Sequence, residues 1–193
     1  MYVDDCIILS RDQKSIDMLI NTLKYGPERF AFTDEGSLHQ YLGVEIERLP
    51  DDTGFTMTQP FLIKRILEAA KIDLRMTNSS PTPVVGTLIS RDEDGPDRKQ
   101  EWKYRTLTGM LGYLQGTSRP KISMATYQFE RFNLCPKLCH VLAVKRIWKY
   151  LLDTNDKGII FQPDPTKGLE CHVDADFSVG WANREHSNPE AVL

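Results

Sequence analysis

Between Thr77 and Arg98 the sequence is built largely from Ser, Thr, Pro, Gly and Asp and carries no apolar periodicity. A stretch this long without a period reads as a loop or linker, and it is the best candidate for a domain boundary. It separates two halves of different character. Before it, short alternating segments mix with helical ones; after it, helical spacing dominates. The charge divides as well. From Arg98 to Lys149 there are eleven Lys or Arg against two acids, Glu101 and Glu130, a local balance of +9 inside a chain whose net charge is -3. The remainder therefore carries -12. A basic block in an acidic protein fits a surface for phosphates, because neutralising a nucleic-acid backbone releases counterions. A set of solvated helix faces that happen to be basic fits the charge equally well.

Upstream of the linker, Cys6-Ile7-Ile8-Leu9 reads as an apolar strand after a turn. Ile16, Leu19, Ile20 and Leu23 predict a helix over about 11–25, capped by Ser10 and ended by Gly26-Pro27. Strand-like pieces follow at 29–33, 41–47 and 55–58. Asp51-Asp52-Thr53-Gly54 is a turn signal that predicts a hairpin between the last two. Pro60 stands where a first helical residue would, ahead of the stripe Leu62, Ile63, Ile66, Leu67 and Ala70.

Downstream, Tyr104, Leu107, Leu111 and Leu114 predict one helix. A second is expected from near Arg119-Pro120, and a third from about Pro136 to Asp153. Gly158 opens the strand Ile159-Ile160-Phe161, and Leu169 to Val173 reads as another, ending at Asp174. With 40% hydrophobic and 26% charged residues the chain is globular rather than disordered. No apolar run is long enough to span a bilayer. The acidic start, Met1-Tyr2-Val3-Asp4-Asp5, lacks the basic region of a signal peptide. Four cysteines without repeated spacing imply no disulfide framework, and an intracellular setting, cytoplasmic or nuclear, is expected.

The sharpest chemical signal is Tyr2-Val3-Asp4-Asp5 ahead of an apolar run. Neighbouring strand side chains point to opposite faces, so two adjacent carboxylates serve one site only if a tight turn reorients them. Like charges that close repel, and a divalent cation offsets the repulsion. Such an ion, held by carboxylates, can orient a triphosphate for in-line displacement. Taken alone, an acidic pair is more commonly a solvated turn.

The wider pattern resembles the reverse transcriptase of copia-type retrotransposon polyproteins. Tyr-Val-Asp-Asp resembles the catalytic hairpin. Tyr41-Leu42-Gly43-Val44-Glu45-Ile46 resembles the family's Leu-Gly-Ile-Glu-Ile strand, and Gln59 with Thr82-Pro83 its helix and Thr-Pro linker. Tyr104-Arg105, Gly109 and Tyr113-Leu114 resemble its Tyr-Arg and Gly-x-Leu-x-Tyr-Leu run, and Thr117-Ser118-Arg119-Pro120 its Thr-Arg-Pro-Asp-Ile. Pro136, His140, Lys145-Arg146-Ile147, Tyr150-Leu151 and Thr154 follow its next block. His172-Val173-Asp174-Ala175-Asp176-Phe177 resembles the Asp-Ala-Asp-Trp opening of its RNase H domain. Each piece is short; together they run in the family's order over nearly the whole chain.

The resemblance implies an α+β protein: a reverse-transcriptase palm remnant (1–76), a linker (77–97), a thumb- or connection-like helical region (98–155) and the truncated start of an RNase H-like sheet (156–193). It implies metal-binding catalytic carboxylates at Asp4 and Asp5, a further one at Asp174, Tyr2 near the primer end, and magnesium as cofactor. An RNA–DNA hybrid or single-stranded nucleic acid and the rest of the polyprotein are the implied partners, with no membrane. Asp174 reads equally well as a strand-ending turn residue. A palm aspartate upstream of the Asp-Asp turn, the fingers and the remaining RNase H acids have no counterpart in the chain, and Lys121 replaces the family's Asp. The chain alone is therefore expected neither to polymerise DNA nor to cleave RNA. Arg119, Lys121, Lys145, Arg146 and Lys149 are the expected nucleic-acid contacts. A non-catalytic nucleic-acid-binding fragment and a decayed relic are the competing readings. Cys135, Cys139 and His140 suggest zinc only weakly, lacking a fourth ligand. Trp148, Tyr150 and Phe132 fit packing better than base stacking.

Overall fold

Turn chemistry and apolar spacing account for most of the elements. The computed structural model describes residues 6–72, 80–84, 89–99, 102–164, 166–168 and 171. The chain divides into two units, Met1–Leu42 and Gly43–Leu193.

In the first unit α1 spans Gln13–Tyr25. Its cap is Asp12, not Ser10: the carboxylate accepts from the Ser15 N–H at 2.9 Å and from the Ser15 hydroxyl. Gly26 ends the helix with its N–H on the Thr22 carbonyl. No residue of α1 is buried. The segments 6–9 and 29–33, expected as strands, are not strands. An apolar run becomes a strand only where a neighbour completes its ladder, and here Phe30 gives its N–H to Leu23 at the end of α1 instead. A two-residue strand, β1 (Gln40–Tyr41), closes this unit. The single strand expected over 41–47 is interrupted because Leu42 and Gly43 both take positive φ.

The second unit mixes helices with antiparallel sheet, the α+β class expected. β2 (Val44–Arg48) pairs with β3 (Phe55–Thr58) in the register Glu45 to Thr58 through Arg48 to Phe55. The predicted turn joins them: Asp51 accepts from the Thr53 N–H and hydroxyl, and Leu49 donates to the Gly54 carbonyl. α2 (Pro60–Ala69) starts on Pro60. α3 (Tyr104–Thr117), a 3-10 turn (Pro120–Ile122), α4 (Ser123–Glu130) and α5 (Leu138–Asp153) follow, then β4 (Ile159–Phe161).

The core and the sheet of this unit both join elements that lie far apart in the sequence. α2 contributes Ile63, Ile66, Leu67 and Ala70 to the same core as Leu107, Leu111 and Leu114 of α3, Phe129 of α4 and Val144, Ile147 and Trp148 of α5. α2 therefore does not belong to a body separate from the later helices. β4, expected to open a new RNase H-like sheet, pairs antiparallel with β3, matching Phe55 to Phe161 and Met57 to Ile159. Glycines permit this pairing. A Cβ on Gly158 would lie 2.0 Å from the Met57 carbonyl oxygen, and one on Gly54 2.2 Å from that of Phe161. Phe55 and Phe161 then stack with ring centroids 5.1 Å apart.

The described parts of the linker are a strap laid on α4 and α5. Pro83, Val84 and Ile89 line one small cavity with Ala125, Gln128 and Phe129 of α4 and Ala143 of α5. Leu138 donates to the Pro96 carbonyl, and Asp97 bridges to Lys137. Among the described residues no helix is long and apolar enough to cross a membrane.

Candidate nucleic-acid interface

The basic block is where sequence and geometry can be compared residue by residue. Each cation either faces water, where it can meet a phosphate, or is held by the protein's own acceptors. Four of the expected or neighbouring cations are held.

Arg119 is 3% exposed. It lies at the turn between α3 and α4, and its guanidinium reaches the last turn of α5 and the residues beyond. It donates to the Thr154 carbonyl and hydroxyl and, at 3.3 Å, to the Lys157 carbonyl. The same group lies 5.5 Å from the Tyr150 ring centroid. A helix C-terminus presents carbonyls without intrahelical donors, so a planar cation there is a structural clamp. The sequence reading expects Arg119 at a phosphate; the hydrogen bonds described for its guanidinium go to protein acceptors.

Arg146, half-buried on α5, donates from Nε to the Thr82 carbonyl at 3.1 Å and from Nη2 to the Thr82 hydroxyl at 2.8 Å. It fastens the strap. Lys137 pairs with Asp97 at 2.7 Å. Hydrogen bonding from Lys137 lowers the Asp97 carboxyl, and the same bond raises the lysine. Arg98 donates to the Trp102 carbonyl at 3.0 Å and lies over the Trp102 ring.

The other expected contacts face water. Lys121 on the 3-10 turn and Lys145 on α5 are exposed, and Lys149 is half-exposed. Lys103 and Arg105 also turn outward, whereas Arg131 lies over the Phe132 ring. The block contains one acid of described structure, Glu130, and burial raises its carboxyl above the ordinary value. The outward surface of the helical hairpin and α5 is therefore strongly cationic, although fewer of its cations are available than the sequence count implies.

The aromatics divide in the opposite sense. Trp148, Tyr150 and Phe132 are buried, as packing requires. The outward ones are Tyr113 on α3, which the sequence places in a family-like run but not on a surface, and Tyr127 on α4, which no sequence motif marks. Their signal was present: both stand opposite their helix's core stripe, Leu107, Leu111 and Leu114 in one case, Ala125 and Phe129 in the other.

His140 is fully buried at the start of α5. Its Nδ1 accepts the Lys137 N–H at 2.8 Å, so Nε2–H donates to the Ser90 carbonyl at 2.9 Å. The ring stacks on Phe132 with centroids 4.0 Å apart. With both nitrogens engaged the histidine is a helix cap and strap anchor. All four cysteines are free, and burial pushes the Cys139 thiol up to about 11. Among the described residues no group of three His, Cys, Asp or Glu is placed to hold a metal. Tyr2, Asp4, Asp5 and Asp174 lie outside the described residues, as does most of the strand expected at 169–173.

No protein-family profile matches the chain, and no solved structure matches it. Curated proteins do. The chain is 33% identical over 178 residues to a retrovirus-related Pol polyprotein from transposon RE1 of Arabidopsis thaliana, a match covering 92% of this chain and 12% of that protein. It is 31% identical over 196 residues to a retrovirus-related Pol polyprotein from transposon TNT 1-94 of Nicotiana tabacum, covering 97% of this chain and 14% of the relative. An uncharacterized mitochondrial protein of Arabidopsis thaliana is 26% identical over 178 residues, 70% of its length. The chain thus spans about an eighth of the transposon polyproteins it matches. Over nearly all of its length it is similar to one short stretch of retrovirus-related Pol polyproteins from plant transposons.

Proposed function

We propose that this chain is a segment of a copia-type retrotransposon Pol polyprotein, drawn from the reverse transcriptase and running toward RNase H, and that its described part holds nucleic acid rather than performing chemistry. The observation that carries the reading is collinearity. The family-like motifs occur in order along a chain that matches Pol polyproteins over 92% of its length, and they fall on folded elements. Tyr41 to Ile46 spans β1 and β2, Gln59 leads into α2, Tyr104 to Leu114 lies on α3, and Lys145 to Leu151 lies on α5.

In this reading Asp4 and Asp5 would hold magnesium for nucleotidyl transfer, and Asp174 would be the first acid of RNase H. The ion would offset carboxylate repulsion and orient a triphosphate. These three residues lie outside the described part, so no step is assigned to them here. What the described residues can do is bind a polyanion: Lys121 and Lys145 are exposed and Lys149 is partly exposed, in a stretch of sequence, 98–149, that holds only two acids.

Binding of a labelled RNA–DNA hybrid, followed by anisotropy over a range of salt, tests the reading. The expected result is an affinity that falls linearly in log–log form with salt. The joint variant Lys121→Ala, Lys145→Ala, Lys149→Ala should have a slope shallower by about 2 to 3. Salt-independent binding, or an unchanged slope in the variant, would overturn it. In a primer-extension assay on an RNA template with magnesium we expect no extension by this chain alone.

A non-catalytic nucleic-acid-binding role is the second reading, favoured by the same cationic surface. It differs in expecting no response to restoration of the upstream palm sequence. Extension activity gained when that sequence is fused to the chain would reject it.

A further inference from the structure

The hairpin of α3 and α4 turns outward two stripes whose chemistry the basic charge alone does not explain. On α4, Met124 and Tyr127 stand three residues apart, which places them within about a sixth of a turn of one another. Met124 is 51% and Tyr127 50% exposed. Lys121 leads into this stripe from the 3-10 turn. On α3, Arg105, Gly109, Tyr113 and Gly116 share a face about a quarter turn wide, and all four are exposed.

The helices run antiparallel. The Tyr104 hydroxyl at the start of α3 donates to the Phe129 carbonyl at the end of α4, at 3.2 Å. Gly112 backs onto Glu130, whose Oε1 would lie 2.7 Å from a Cβ at that position. Glu130 is thus drawn into the helix contact, and from residue 102 to residue 129 the sequence has no acid at all. The outcome is a pair of exposed stripes that carry Tyr113, Met124 and Tyr127 together with the cations Arg105 and Lys121.

We propose that this outer face of α3 and α4 is a stacking surface for the unpaired bases of a single-stranded nucleic acid, with Tyr127 receiving a base and Lys121 the adjoining phosphate. It rests on the nucleic-acid reading above and adds to it the strand state and the face. Charge complementarity selects the partner: a polyanion matches the exposed cations, and the faces of its bases match the exposed rings. Every base has a π-face, so stacking of this kind tolerates any sequence. A duplex buries those faces within its own stack, so it can use the cations but gains little from the tyrosines. Single exposed apolar residues are ordinary on a surface; exposed tyrosine and methionine side chains beside exposed cations, in a run of sequence that has no acid from 102 to 129, are a combination that a base and its phosphates fit.

The test uses the full chain with two labelled probes, an oligothymidylate of about twenty nucleotides and an RNA–DNA hybrid of similar length. Tyr127→Ala should weaken oligothymidylate binding roughly 5- to 100-fold, leave hybrid binding within about twofold, and leave the melting curve unchanged because the side chain is half in water. Tyr127→Phe should bind as the parent does. Lys121→Ala should make the single-strand salt slope shallower by about 0.7.

If the parent chain binds neither probe, the nucleic-acid reading and this proposal fall together. If it binds both and Tyr127→Ala changes neither, the reading stands and the proposed face is wrong. Equal weakening of both probes would overturn the single-strand assignment. A loss of self-association in sedimentation, with oligothymidylate binding unchanged, would assign the face to a protein contact and overturn the proposal.

Discussion

The two units use the same kind of sequence to different effect. α1 has an apolar stripe as regular as that of α2, yet it buries nothing, whereas Ile63, Ile66 and Leu67 of α2 are 1%, 0% and 3% exposed. The first unit is held by short-range contacts: the Asp12 cap, a Lys24–Asp34 pair at 3.7 Å and Lys24 over the Phe32 ring. The second is held by a core in which four helices meet and by a sheet whose third strand arrives about a hundred residues after the second. Periodicity specifies that a segment is helical. Burial also requires a second surface of matching shape, and no single helix encodes that.

The largest effect that tests this contrast is in the core. Trp148→Ala removes a fully buried side chain that meets Trp102 edge-on with centroids 5.1 Å apart. It should cost the second unit about 3–5 kcal/mol, read by urea unfolding followed in far-UV circular dichroism. Leu19→Ala on α1, 43% exposed, should change stability by no more than about 0.5 kcal/mol. Comparable losses from the two substitutions would break the distinction between the units.

Arg119 sharpens the comparison, because it shows that a charged side chain of the second unit can be as interior as a leucine. Arg119→Met keeps much of the stem but leaves the Thr154 and Lys157 carbonyls without their donor. It should destabilise by about 2–3 kcal/mol while leaving the salt slope of nucleic-acid binding unchanged. Lys145→Ala should do the reverse, with stability within about 0.5 kcal/mol and a shallower slope. A slope that falls for Arg119→Met would return that residue to the phosphate-binding set.

These cases show what a sequence can disclose. β3 and α2 match the expected bounds because Gly54, Pro60 and the apolar period mark them locally. α5 starts two residues after the expected Pro136 and ends where expected. The pairing of β4 with β3 was not legible, since nothing at 159–161 names a partner at 55–57; only the glycines at 54 and 158 hint at close backbone approach. The fate of the cations was no easier to read. A basic residue is written the same way whether its donors end on a phosphate, as expected for Arg146, or on Thr82, where they lie. Linker composition likewise disguised a strap, because extended backbone that lies on helices needs no apolar period of its own. For the site, Lys121, Lys145 and Lys149 were legible as cations, while the exposure of Tyr113 and Tyr127 was not, because an aromatic residue on a helix is written the same way whether it faces core or solvent.

His140 offers a pH test of the strap. Burial holds its imidazole below the ordinary value near 6.5, and only the neutral ring can accept the Lys137 N–H. The Ser90 carbonyl and Asp92 act the other way without reversing the shift. As pH falls through about 6.5 the unfolded chain takes up a proton that the folded chain refuses, so stability declines with acidification until the folded histidine also titrates. Melts between pH 7.5 and 5.5 should show this decline in the parent and a flatter profile in His140→Asn, beyond any loss common to all pH values. Identical profiles would remove the histidine from the account of how strap and α5 are joined.

The smallest effect belongs to the first unit and bears most directly on why it holds together. Asp12 supplies the one side-chain cap on α1, and the Ser15 hydrogen bonds lower its carboxyl below the ordinary value. Asp12→Ala should therefore reduce amide-exchange protection in the first turn of α1. As pH falls below 3.8 the difference should shrink, and parent and variant should converge only once pH has passed the cap's own, lower value, because only then is the parent's cap protonated. The second unit should show no change in protection. Helix capping is a modest interaction wherever it occurs, but in α2 or α5 its loss would be masked by the buried core. In α1 no buried residue backs it, so a local interaction is exposed to measurement. Protection in α1 that survives the substitution unchanged would mean that something other than its own ends stabilises the helix, and the contrast between the two units would then need another cause.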